Sequence, residues 1–202
     1  MNILAYDTSG DVLAAALVKD GQVIVDVGEG FKPNPAARHS SVLVPTLEKL
    51  MRKARWKPEH IDAIAVGTGP GSFTGIRIGV VTAKMLAFAW GKKVVGVSSL
   101  EAIARSSEAG GRVAVMLDAR RGNVYAALYE KKAGTVKPII APLLTRADDF
   151  FKKARPDFVV DSAAGLRAGA VAEAARGRRA VSPDKIEPLY LHPKDCNVTV
   201  KR

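Results

Sequence analysis

The segment Gly67-Thr-Gly-Pro-Gly-Ser-Phe-Thr-Gly-Ile-Arg-Ile-Gly79 gathers the residue types that hold anions. An apolar run over residues 61–66 precedes it and reads as a buried strand, and residues 76–90 after it read as a helix. A Gly-rich turn between strand and helix points free backbone N–H groups and the positive helix end at one place. Gly69, Gly71 and Gly75 permit close approach, while Ser72 and Thr74 are natural N-cap residues. Two familiar phosphate motifs do not fit. Gly75 is followed by Ile76 where a P-loop has Lys, and the glycine spacing is not that of a dinucleotide fingerprint. The plainer reading, that these glycines only let a helix pack on a sheet, stands beside the anion-site reading with equal weight.

Two carboxylates could assist such a site. Asp7-Thr8-Ser9-Gly10 closes a first apolar run, residues 3–6, and an Asp there could hold a metal or water beside phosphate. It could equally cap its own turn. Asp118 occupies the corresponding place after residues 113–117 but is followed by Ala-Arg-Arg-Gly, without the Gly-Gly expected of a phosphate cradle. His39 has no second ligand four residues away, so a packing or hydrogen-bonding role fits it better than metal binding. The single cysteine, Cys196, excludes an internal disulfide and a thiolate cluster.

Elements must position these residues. Residues 12–18 and 22–27 read as antiparallel strands returning from the first, with Lys19-Asp20-Gly21 as hairpin turn. Residues 36–54 read as a helix with apolar positions Leu43, Leu47, Leu50, Met51 and Ala54 on one face, starting or kinking near Pro45. The 76–90 helix is apolar nearly all round: Arg77, Val81, Lys84, Met85 and Phe88 stand opposite the face suited to the sheet. Such a back suggests cover by a second protein or by the 36–54 helix. Residues 94–97 continue as a strand, and Ser98-Ser99 are expected to cap a helix over 100–106.

Beyond Gly110-Gly111 the chain repeats its opening. Strands over 113–117, 124–130 and 139–144, a helix over 146–154, a strand over 158–160 and an Ala-rich helix over 165–176 follow, then a tail docked by Leu189, Tyr190 and Leu191. A duplicated βββ-α unit with an Asp at each first turn is the layout of the actin-like, sugar-kinase and Hsp70 ATPase fold. The expected architecture is therefore α/β: two ribonuclease H-like lobes with mixed central sheets flanked by helices, 1–109 and a reduced 110–202. A net charge of +11 points to an acidic partner, nucleic acid being the usual one, although the basic residues are scattered and aromatics are 6%. No apolar run approaches the ~20 residues of a membrane span, so a cytoplasmic protein without membrane contact is expected.

The pieces Asp7-Thr-Ser, Arg38-His-Ser, Leu43-Val-Pro45, Gly69-Pro-Gly-Ser-Phe-Thr-Gly-Ile-Arg-Ile-Gly79, Ala83-Lys84, Val97-Ser-Ser-Leu-Glu-Ala102 and Glu187-Pro-Leu-Tyr-Leu191 closely resemble the TsaB (formerly YeaZ) family of the actin-like ATPase superfamily. The resemblance implies a non-catalytic partner of TsaD which, with TsaD and the ATPase TsaE, makes N6-threonylcarbamoyladenosine in tRNAs reading codons that begin with adenine. TsaD transfers threonylcarbamoyl from its adenylate. It holds a metal with a His-x-x-x-His helix, where this chain has Ser99-Leu-Glu-Ala-Ile103. Neither imidazole is present, so a metal held that way is excluded. The family's old glycoprotease label has no support in metal ligands or a Ser/His/Asp set.

The resemblance also implies that the first two helices form a four-helix bundle with TsaD, or pair with a second copy when TsaD is absent. The implied partner surface is Val42, Leu43, Thr46, Leu50, Arg77, Val81, Lys84, Met85 and Phe88. No resident cofactor is implied, but Asp7, Thr8, Ser9, Gly69, Gly71, Ser72, Thr74 and Gly75 are candidates for a vestigial or interface nucleotide site. Contact with tRNA would come through the complex. An ATP-dependent enzyme built on Asp7, Asp118 and the Gly69–Gly75 turn, or a metallopeptidase, are the competing readings.

Overall fold

The computed structural model describes residues 1–27, 39–161 and 165–191. The expected loop over 31–38, the His39 side chain and Cys196 lie outside these. Two mixed sheets are stacked between helices. The first runs β3 (Gln22–Asp26), β2 (Ala14–Lys19), β1 (Asn2–Asp7), β4 (Ala63–Gly67), β5 (Lys93–Val97). The second runs β8 (Thr135–Arg146), β7 (Asn123–Lys132), β6 (Gly111–Asp118), β9 (Phe158–Val160). In each, three antiparallel strands are followed by a strand parallel to the first: β4 beside β1, β9 beside β6. The internal repeat in the sequence is thus a repeat of topology.

Alternation along the first sheet decides what covers it. Leu4, Tyr6, Leu17, Ile64, Val66 and Val94 face α1 (His39–Ala54) and α2 (Phe73–Trp90). Ile3, Ala5, Ala14, Ala16, Ala65 and Val95 face α5 (Ala168–Ala175). Both faces of β1 and β4 are covered, which is why these strands read as unbroken apolar runs. Small residues meet small residues at α5: a Cβ on Gly169 would stand 2.8 Å from Val23 Cγ2. On the second sheet, Val113, Val115, Ala127 and Tyr129 pack against α3 (Ser99–Ser106), and Ala114, Ala126 and Leu128 against α4 (Ala147–Ala154).

Several expectations shift. α1 continues through Pro45 rather than starting there. α2 begins three residues earlier than its periodicity suggests, with Ser72 accepting from Gly75 N and Gly91 closing the helix in the left-handed conformation (φ 63°). The sheets divide between Val97 and Gly111, but α5 and the tail, expected with the second lobe, return to the first. Val181 bridges to Val94, Leu189 N donates to Thr68 O (2.8 Å), and Ile186 fills the space beside Gly96.

Candidate functional site

The turn after β1 and the loop before α2 form one joint. The Asp7 carboxylate is fully buried; Oδ1 accepts from Ser9 N (2.6 Å) and Oδ2 from Ser99 Oγ (2.6 Å). Ser99 Oγ in turn accepts from Gly69 N at 3.1 Å. Ser99 was expected to cap α3, but its hydroxyl ties β1 to the glycine loop while Ser98 takes the N-cap position. Thr8 Oγ1 donates to Gly75 O (2.7 Å), and Ser72 N donates to Ser9 O (2.7 Å).

The glycines make room for this turn. A Cβ on Gly67 would lie 1.8 Å from Asp7 Oδ2, on Gly71 2.4 Å from Ser9 O, on Gly75 2.0 Å from Thr8 O and on Gly79 2.3 Å from Thr8 Oγ1. Gly69 and Gly71 also carry positive φ (95° and 154°), and the Gly69-Pro70 peptide is cis. So Asp7, Thr8, Ser9, Gly69, Gly71, Ser72 and Gly75 do come together, and the space beside Gly67, Gly71, Gly75 and Gly79 holds the chain's own residues 7–9. The amides of Gly69, Ser72 and Gly75 are already bonded within the chain. The inner side of the turn is thus taken up by the chain itself. Of the candidate residues Ser72 and Thr74 are exposed and Gly71 is half-buried. Among the described residues no three His, Cys, Asp or Glu side chains converge as metal ligands.

Asp118, the counterpart of Asp7 in the repeat, is exposed; Oδ1 accepts from Arg120 N at 2.8 Å. A second buried acid went unnoticed in the sequence. Glu101 on α3 is 6% exposed and pairs with Arg105 (3.0 Å) one helical turn on and with Arg178 beyond α5. Its spacing to Arg105 was the available signal.

The outer face of α2 is bare. Val81 is 53% exposed, Met85 67% and Phe88 84%, with Arg77 and Lys84 alongside. Contrary to the expectation that no apolar run approaches a membrane span, this helix is by length and composition able to cross one, with mean hydropathy 1.3 over 18 residues. Its other face, Ile76, Gly79, Val80, Ala83 and Ala87, is seated on the first sheet, so the surplus apolarity is confined to the outside. On α1 the implied partner surface needs correction. Leu43, Thr46 and Leu50 are buried in the chain's own core, because the apolar stripe of α1 turns inward onto β2 and α2. Val42 is half-buried, and Val44, which the sequence reading left out, is exposed. At the α2 N-terminus Tyr190 of the tail stacks near Phe73 (centroids 5.3 Å), accepts from Arg77 Nε (2.7 Å) and holds Arg77 over the Phe73 ring (3.9 Å).

Residues 11–173 match the profile of the family of TsaD, tRNA N6-adenosine threonylcarbamoyltransferase. The Bacillus subtilis (strain 168) tRNA threonylcarbamoyladenosine biosynthesis protein TsaB is 38% identical over 141 residues, 69% of this chain and 60% of that protein. The TsaB of Escherichia coli (strain K12) is 35% identical over 134 residues, 65% and 56%. The aligned part of this chain thus spans 56–60% of the length of these relatives. A solved structure of YeaZ from Pseudomonas aeruginosa superposes with a TM-score of 0.78 at 26% identity, covering 94% of this chain and 99% of that one. With four-fifths of its length inside the TsaD profile and its fold shared from end to end with YeaZ, the chain belongs to the TsaD family, on its TsaB (YeaZ) branch.

Proposed function

We propose that this chain is a non-catalytic scaffold and activator subunit in the synthesis of N6-threonylcarbamoyladenosine on tRNA, acting by docking on the catalytic subunit TsaD in an assembly that includes TsaE. The observation that carries the reading is the bare ridge Val81–Met85–Phe88 on a helix whose other face is already used. A ridge one helical turn apart at each step is what a facing helix takes up. Val42 and Val44 on α1 lie on the adjoining helix and extend the surface, and Arg77 and Lys84 flank it. Docking stabilises whichever conformation of the partner presents the complementary face, and that is how a subunit without chemistry of its own can activate another. Without TsaD, the same ridge would pair with a second copy.

The filled glycine joint supports the non-catalytic part: its carboxylate and hydroxyl are committed to internal hydrogen bonds. The test is capture and reconstitution with TsaD from the same organism, comparing the native chain with Val81→Glu/Phe88→Glu. Capture by the native chain, lost in the variant together with TsaD-dependent tRNA modification, is expected. Capture unaffected by the two charges moves the interface elsewhere. No capture, with ATP turnover by the chain alone, overturns the proposal.

A further inference from the structure

A second surface, on the second sheet, is built from charge. β6, β7 and β8 bring Arg112, Glu130 and Lys137 side by side, since Arg112 is opposite Glu130 and Glu130 opposite Lys137. Residues directly opposite one another share a face, and so does Lys132, two places along β7. This is the face α4 covers, and α4 ends here: Arg112 Nη2 donates to the carbonyl of Ala154, the last residue of α4, at 2.6 Å. Lys152 and Lys153 in the last turn and Arg155 just after it are therefore at the same edge.

All six of these cations are exposed. Some of their charge is used within the chain. Lys132 pairs with Glu130 (2.7 Å), and the two lysines of α4 complement its negative end; the Asp157 carboxylate, accepting from the backbone N–H of Arg112 (2.7 Å), is the second acid at this edge. The balance is still six cations against the two carboxylates Glu130 and Asp157. The other acids of α4, Asp148 and Asp149, are in its first turn, at the opposite end of the helix. The hydrogen bond and charge of Lys132, with Lys137 and Arg112 beyond, hold the Glu130 carboxyl below the usual range. The surface is shallow: its hollow, about 210 Å³, is lined by Glu130, Lys132, Thr135 and Lys137. None of these four lining residues is aromatic, so the hollow itself has no stacking slot for a base. Cations on an open face, without a cleft, suit a phosphate backbone and not base-edge reading.

We infer that the face formed by Arg112, Lys132, Lys137, Lys152, Lys153 and Arg155 is an RNA-backbone contact that holds tRNA on the assembly from the second lobe. The inference rests on the tRNA-modification reading above and adds to it a direct contact between this chain and the substrate RNA.

The test compares binding of an unmodified tRNA transcript to the chain, alone and with TsaD, for the native protein and two triple variants. One is Lys137→Glu/Lys152→Glu/Lys153→Glu; the other, Lys19→Glu/Lys93→Glu/Lys185→Glu, makes the same change in net charge on other surfaces. The first should weaken binding about tenfold or more and flatten the dependence of log K on log salt by roughly two to three units. The second should do much less. Equal losses in both variants would mean bulk charge alone, and no loss in either, or no tRNA binding by the native chain, overturns the inference. Binding of anionic lipid vesicles that the first variant abolishes while tRNA binding persists also overturns it. TsaD capture by the same variants separates the two proposals: capture retained with tRNA binding unchanged sinks only the RNA surface, whereas no capture by the native chain sinks the parent reading.

Discussion

Thr8 and Gly75 are locked to each other twice. The Thr8 hydroxyl donates to the Gly75 carbonyl at 2.7 Å, and the Thr8 carbonyl occupies the place where a Gly75 side chain would begin, 2.0 Å from an ideal Cβ. Because one contact is made by side chain and the other by backbone, substitutions separate them.

Gly79→Ala meets only the Thr8 hydroxyl, at 2.3 Å; the next atoms, Thr8 Cβ and Val66 Cγ2, are at 3.6 and 3.7 Å. Gly75→Ala and Gly79→Ala should each destabilise the fold by roughly 1–3 kcal/mol. In a Thr8→Ala background Gly79→Ala should become neutral or stabilising, by up to ~1 kcal/mol from helix propensity. Gly75→Ala should not be rescued, since the clashing carbonyl persists. Urea titration of the two double-mutant cycles checks this, and rescue of Gly75→Ala would refute the geometry.

The two sides of α1 should respond oppositely. Leu43 is buried, so Leu43→Ala should cost about 2–5 kcal/mol. Its neighbour Val44 is exposed, so Val44→Ala should change stability by no more than about 0.5 kcal/mol. Val44→Glu should weaken TsaD capture while the melting temperature stays put. Loss of stability in Val44→Ala would place that residue in the core.

Glu101 joins α3 to the segment after α5. Glu101→Ala leaves Arg105 and Arg178 facing each other without a carboxylate. It should cost about 2–3 kcal/mol, below the ~3–5 of a fully buried pair because Arg178 reaches solvent. Arg178→Ala should cost less, and the coupling in a double-mutant cycle should be favourable. Additive effects would show that the pair contributes nothing.

Burial holds the phenols of Tyr6 and Tyr129 protonated well above the ordinary tyrosine range. A group whose folded pKa is raised stabilises the fold fully below its unfolded value and loses that contribution as pH climbs toward the folded value. Stability should therefore fall above pH ~10, by about 1.4 kcal/mol per pH unit for each phenol. Tyr6→Phe should reduce that slope, at a cost of about 1 kcal/mol near neutrality for the lost bond to Gly79 O (3.0 Å). Phenolate absorbance at alkaline pH should come from the other tyrosines until the chain unfolds; if all four titrate while it is still folded, the burial account is wrong.

The strands and helices were legible because their periodicity is local: β1, β3, β5 and β9 fall within a residue or two of the apolar runs. So was the division of α2 into a seated face and an outer face carrying Arg77, Val81, Lys84, Met85 and Phe88. What the glycines were for was not legible. The atoms beside Gly75 and Gly79 come from Thr8, more than sixty residues away, and spacing cannot tell a cradle for a ligand from a slot for the chain itself. Leu43, Thr46 and Leu50 were misplaced for a related reason. An apolar stripe says which face avoids water, not whether its cover is the chain's own sheet or a stranger. Assigning α5 to the second lobe followed sequence order, while its alanines fit the small residues of β1 and β2.

That return of α5 governs how the protein can be made. When residues 1–107 have been synthesised, every strand of the first sheet exists, yet the face of Ala5, Ala14, Ala16, Ala65 and Val95 has no cover. The helix that closes it is translated only after the whole second sheet, and Ile186, which seals Gly96, comes later still. The nascent first lobe therefore waits with one apolar side open, and a fragment ending near Ser107 should aggregate where the longer chain folds.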